Sequence, residues 1–175
     1  MSKVLFILMP KYRDEEFTTP YQMLLDAGHE VDVAGLEPGP TIGSVSHQHE
    51  PNLIFYELQK DDFQDYDALV IPGGPGSTKY LWGNEKIHAA IKIFHDEKKL
   101  VAAICYAVIP VVQTGILLGK HATVYPTDEA KSILEEYGVK FSKDGCVSLS
   151  AEKIITAQGP KAVQDFGQAI ISSLK

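Results

Sequence analysis

The stretch Leu100-Val101-Ala102-Ala103-Ile104-Cys105-Tyr106-Ala107-Val108 decides how this chain is read. Five small or apolar residues run up to a single cysteine. A second apolar run, Tyr106 to Val112, follows with no polar linker between them. A buried strand passing straight into a helix has this pattern. At such a junction the turn residue's side chain is pushed up and outward, beside the N-terminal amides of the new helix. Their partial positive charge stabilises a thiolate. Cys105 is expected to be that turn residue.

Outward from this junction, strands and helices alternate. Residues 4–9 read as a buried first strand. Phe17, Tyr21, Leu24 and Leu25 recur at helical spacing until Ala27-Gly28, and residues 30–34 alternate as a second strand. Residues 35–50 are turn-rich, and residues 51–58 are expected to form a short edge strand. The strand at 68–71 ends abruptly in Pro72-Gly73-Gly74-Pro75-Gly76, with Ser77 and Thr78 placed to cap a short helix over 79–82. Residues 85–98 form an amphipathic helix through Ile87, Ala90, Ile91 and Phe94. Short strands are expected at 121–124, 139–141, 147–149 and 153–157, with helices at 128–137 and 161–174. The prediction is an α/β fold: one domain over residues 1–175, a doubly wound, mainly parallel sheet with helices on both faces.

Composition narrows the function classes. A chain of 175 residues with 45% hydrophobic and 22% charged residues is long enough for one buried core. A net charge of −7 repels nucleic acid and anionic membrane, so neither is expected as a partner. The apolar run near the N-terminus is too short to span a membrane and is followed by no cleavage site. With two cysteines and no export signal, a reducing cytoplasm is expected. Cys146 sits in the polar stretch Lys143-Asp144-Gly145-Cys146, with no helix to activate it.

Ligands of such sheets gather beyond the carboxyl ends of the strands. Three features fall there: the acidic turn with Glu16, the glycine turn after Ile71, and Cys105. The glycine turn is either a tight connection or, with the Tyr106 amide, an oxyanion hole. No G-x-x-x-x-G-K-[ST] or G-x-G-x-x-G motif is present, and no cofactor is expected. His47 and His49 make only a two-ligand set, so they read as a solvated loop and no metal is expected. His88 and His95 read as exposed or interface residues of the amphipathic helix.

Taken together, these pieces resemble the ThiJ/PfpI superfamily, which includes the PfpI intracellular proteases and the parkinsonism-linked deglycase-like protein. The resemblance rests on Glu16 four residues before Pro20-Tyr21, on Ala27-Gly28-His29-Glu30-Val31 and on Asp65 to Gly74. It continues through Ala102-Ala103-Ile104-Cys105, Thr123-Val124-Tyr125-Pro126 and Ile155 to Pro160. It implies a flavodoxin-like fold of the class I glutamine amidotransferase type, with Cys105 as elbow nucleophile and Glu16 as the carboxyl touching its sulfur. It further implies a binding turn at Gly73 and Gly74, oxyanion amides from Gly74 and Tyr106, and Tyr125 beside them. A small carbonyl substrate and a homo-oligomer, dimer or hexamer, follow from the same resemblance.

The departure comes directly after the cysteine, where PfpI-type proteases carry histidine, glycine and proline and this chain has Tyr106, Ala107 and Val108. A tyrosine, with a reference pKa of about 10, is a poor substitute for imidazole as a base, which weighs against protease activity. Three readings stay open: a cysteine-dependent hydrolase or lyase of the glyoxalase or deglycase kind, a redox sensor that stores oxidised Cys105, and a non-catalytic binding module. An ionised Glu16 would raise the thiol pKa, so Glu16 is expected to be neutral whenever Cys105 is ionised.

Overall fold

The computed structural model describes residues 1–175. In chain order, β1 (Lys3–Leu8), α1 (Asp14–Asp26) and β2 (Glu30–Gly35) form the first β-α-β unit. A small hairpin of β3 (Thr41–Ile42) and β4 (Gln48–His49) precedes β5 (Leu53–Ile54) and β6 (Ala68–Ile71). The short α2 (Ser77–Tyr80) and α3 (Glu85–Asp96) lead to β7 (Leu100–Ile104) and α4 (Val108–Gln113). Then come β8 (His121–Ala122), α5 (Asp128–Glu136), β9 (Lys140–Phe141), β10 (Cys146–Leu149), β11 (Ile154–Ala157) and α6 (Val163–Ser173).

Seven strands form the sheet in the order β10-β11-β7-β6-β1-β2-β5. All neighbours are parallel except β10, which runs antiparallel to β11. Helices cover both faces, α1 packing with α6 and α3 packing with α4. This double cover explains why β6, β7 and β11 carry no polar/apolar alternation: every residue of the three is buried. From β1 the chain winds outward to β2 and β5, then returns to build β6, β7 and β11 on the other side. The carboxyl ends of β1 and β6 therefore frame the switch point where such sheets open a crevice.

Helix ends follow local chemistry. The Asn84 side chain accepts from the amides of Lys86 and Ile87 at 3.1 and 3.2 Å, starting α3. Thr127 caps α5 by accepting from Ala130 at 3.2 Å. On the opposite face, a Cβ on Gly167 would lie 2.5 Å from Met23 Sδ, so the missing side chain lets α6 close on α1 beside Pro20.

The structure corrects several expected spans. The edge strand expected over 51–58 shrinks to Leu53–Ile54, because the chain turns into a 3₁₀ helix over Phe55–Glu57 that buries Phe55. Ser77 is the first residue of α2 rather than its cap; the capping position is Gly76, whose amide donates to Lys11 O at 3.1 Å. The helix expected to reach residue 98 stops at Asp96, where Lys98 turns into the left-handed region at φ 60°. Leu25 faces solvent instead of the core. Cys146 lies in no loop: it opens β10, opposite Ala157. His88 and His95 are half-buried, and His88 Nε2 sits 3.1 Å from Gln113 Oε1.

Candidate active site

Strand β7 is extended up to Ile104, and the next residue, Cys105, takes φ 60°. A 3₁₀ turn over Cys105–Ala107 then feeds α4. The sharp reversal needs the left-handed region, which strains any residue with a β-carbon. Trp82 braces it from outside, its indole N–H donating to the Tyr106 carbonyl at 2.8 Å. The Tyr106 ring packs edge-on against Trp82 and Tyr125, at centroid distances of 5.7 and 5.4 Å. Tyr125, 44% exposed, forms the outer wall of this group.

Two neighbouring strand ends complete the site. The β1–α1 turn delivers Glu16, which is fully buried (0% exposed) against Cys105 (5% exposed). The β6–α2 turn delivers Gly73 and Gly74. Gly73 N–H donates to Glu16 Oε2 at 2.9 Å, and Gly73 O accepts from Arg13 N at 2.8 Å, tying the two turns together. No larger residue fits at Gly73: a Cβ would lie 2.5 Å from Ile104 O and 2.7 Å from Cys105 Cβ. Gly74 adopts φ 122° and is pressed against the Arg13 backbone, so it admits no side chain either.

Of the residues singled out in the sequence, the structure brings Cys105, Glu16, Gly73, Gly74, Tyr106 and Tyr125 to one place. The Gly73 amide is occupied by Glu16 and is not free for an oxyanion, which leaves the Gly74 and Tyr106 amides beside the Cys105 sulfur.

Electrostatics at the pair also differ from the expectation of a helix-stabilised thiolate. Burial first, and the Glu16 carboxylate second, push the Cys105 thiol up; the Tyr106 and Gly74 amides pull it back only in part. Burial pushes the Glu16 carboxyl up to about 7, against the lowering effect of the neighbouring Cys105 thiol and of the Gly73 N–H. Glu16 Oε1 is buried with no well-formed hydrogen bond, so its neighbour for proton exchange is the thiol. The first proton to leave the pair comes from the carboxyl. A thiolate near neutrality therefore arises with Glu16 protonated, by transfer between the two, as the like-charge argument requires.

Other residues lie apart from this pair. His47 and His49 pack on Phe17, and His47 Nδ1 contacts the Tyr12 hydroxyl at 2.6 Å. Neither histidine is among the groups acting on Cys105 or Glu16, and no third His, Cys, Asp or Glu joins them. Burial pushes Cys146 up to about 11. Sequence reasoning missed two supports. The Trp82 brace has no local signal beyond a lone tryptophan after the glycine turn. The other is Asp14, whose carboxylate accepts from the amides of Val45, Ser46 and His47 at 3.3, 2.9 and 2.8 Å and ties the β3–β4 hairpin over α1.

A parallel sheet that sets a left-handed cysteine elbow against a buried carboxyl, at its switch point, defines a cysteine-elbow α/β protein. The chain belongs to the DJ-1/PfpI family, whose sequence profile matches residues 2–173. A protein of Methanocaldococcus jannaschii is 35% identical over 175 residues, 99% of this chain and 83% of its own length. A deglycase of Pyrococcus horikoshii is 34% identical over 124 residues, 71% of this chain and 72% of its own. The solved structure of Schizosaccharomyces pombe DJ-1 matches with a TM-score of 0.89 at 25% identity, covering 99% of this chain and 92% of that one. No helix is long and apolar enough to cross a membrane.

Proposed function

We propose that this chain is a cysteine-dependent hydrolase or lyase acting on small carbonyl compounds or their adducts, in the manner of its deglycase relative. The observation that carries the proposal is the elbow itself, a thiol on a left-handed turn held against a buried carboxyl, with the Gly74 and Tyr106 amides beside the sulfur. Glu16, with its carboxyl near 7, serves as the base that the missing histidine would otherwise supply. In the first step the Cys105 sulfur attacks the carbonyl carbon while the thiol proton passes to the Glu16 carboxylate. The carbonyl oxygen gains the negative charge, accepts hydrogen bonds from the Gly74 and Tyr106 amides, and then takes the proton from Glu16.

The buried Glu16 carboxyl beside Cys105 supplies the proton acceptor that turnover needs, which favours the enzyme over the redox-sensor reading. Tyr106, packed between Trp82 and Tyr125, narrows the approach and favours small substrates over peptides. A homo-oligomer, dimer or hexamer, is part of the same proposal. Exposed Ile42 and Val45 on the β3–β4 hairpin offer apolar surface for it. The test is methylglyoxal consumption by the wild type and by Cys105→Ala. Turnover is expected to vanish in the variant, and equal rates would eliminate the enzyme.

A further inference from the structure

The opposite end of the sheet carries a cluster of positive charge on a chain whose net charge is −7. At the amino ends of β7, β8 and β11, Lys98, Lys120 and Lys153 converge with His95 and Glu152 on a concavity of about 460 Å³. A neighbouring hollow shares Lys98 and Lys153 and adds Lys175, the acidic Asp67, and Lys99, which is paired with Glu97 at 3.1 Å. Lys120 is paired with Glu152 at 2.6 Å, whereas the ammonium groups of Lys98 and Lys153 have no carboxylate partner. His95 Nδ1 is buried without a hydrogen-bond partner.

Both unpaired lysines occupy backbone that glycine would adopt more easily. Lys98 has φ 60° and Lys153 has φ 55°. Lys98 stands just beyond α3, in the position that Gly28 takes after α1 and Gly138 after α5. Left-handed backbone at two lysines lining one concavity is a pattern found where a side chain has a task.

We propose that this concavity binds a small multivalent anion, one bearing two or more phosphate groups. Three lysines lining one concavity favour a compact ligand with several negative charges. The net negative charge of the remaining surface disfavours a long polyanion. Strand β7 separates this concavity from Cys105 by roughly 20 Å at about 3.3 Å per residue, so the inference stands independently of the catalytic proposal.

Pyrophosphate is the probe, titrated calorimetrically into the full chain at low ionic strength. Saturable one-to-one binding is expected. It should weaken by about tenfold or more in Lys98→Gly/Lys153→Gly and stay unchanged in Lys79→Ala. Glycine removes each charge while relieving the left-handed backbone, so the double variant should melt at or above the wild-type temperature. A single Lys153→Gln variant, expected to weaken binding about threefold or more, tests the charge without glycine. Absence of saturable binding up to about 10 mM pyrophosphate would overturn the proposal, as would equal affinity in the variants. Co-sedimentation with phosphatidylserine vesicles would overturn the assignment to a small soluble anion.

Discussion

Replacing Glu16 by glutamine should make the stability of this protein less sensitive to pH. Burial moves the carboxyl from the ordinary 4.5 to about 7, so between those values the folded chain keeps a proton that the unfolded chain has released. The stability tied to that proton is fully present below pH 4.5 and is lost as pH rises through 7. At 1.36 kcal/mol per pH unit the total loss is about 3 kcal/mol, of which about 2 kcal/mol falls between pH 5.5 and 8. For a chain of this size that is roughly 4–8 °C in Tm. Glutamine stays neutral at every pH and keeps an oxygen to accept from Gly73 N–H, so Glu16→Gln should lose none of it. His49 acts in the other direction: burial and then His47 lower its pKa, so it adds stability as pH rises towards 6.5. That contribution is common to both proteins, so their difference isolates Glu16. Urea unfolding followed by Trp82 fluorescence, at several pH values from 5.5 to 8, measures it. Parallel wild-type and variant profiles would refute the reasoning.

Two other substitutions probe the frame of the site. Gly73→Ala would bring a methyl group within 2.8 Å of Glu16 Oε2 and 2.5 Å of Ile104 O, costing roughly 1–3 kcal/mol by overpacking; an unchanged urea midpoint would show that the turn can yield. Asp14→Ala removes the acceptor of three hairpin amides, so hydrogen exchange at Val45, Ser46 and His47 should accelerate about tenfold or more. Unchanged exchange would mean that the hairpin is held by its other ties, the Lys11–Ile42 and Ser44–Tyr12 backbone hydrogen bonds and the His47 and His49 ring contacts.

The elbow was legible because its signal is local: an apolar strand, a cysteine and an apolar helix with nothing between them. The glycine turn was legible for the same reason, since five consecutive proline and glycine residues leave the chain few alternatives. What the sequence could not display is the assignment of each amide. Gly73 and Gly74 are chemically alike, yet one faces a carboxylate and the other a sulfur, a choice made by the packing of β1 against β6. The Asp14 clamp escaped because it joins residues more than thirty positions apart. The over-long third helix has the same lesson in reverse. Its stop lies at a lysine, where no glycine announces the left-handed turn. A strand–helix junction signals helical amides beside Cys105 but says nothing of hydration lost on burial, so the upward push on its thiol was not legible.

The backbone at Cys105 also limits which residues could take its place in descendants of this sequence. At φ 60° a branched β-carbon collides with its own main chain. Serine fits the turn as cysteine does, and glycine or asparagine would relax it; threonine and valine would force the strand end to shift. Exchange of one nucleophile for another at this position is therefore open towards serine and closed towards threonine, whatever the substrate.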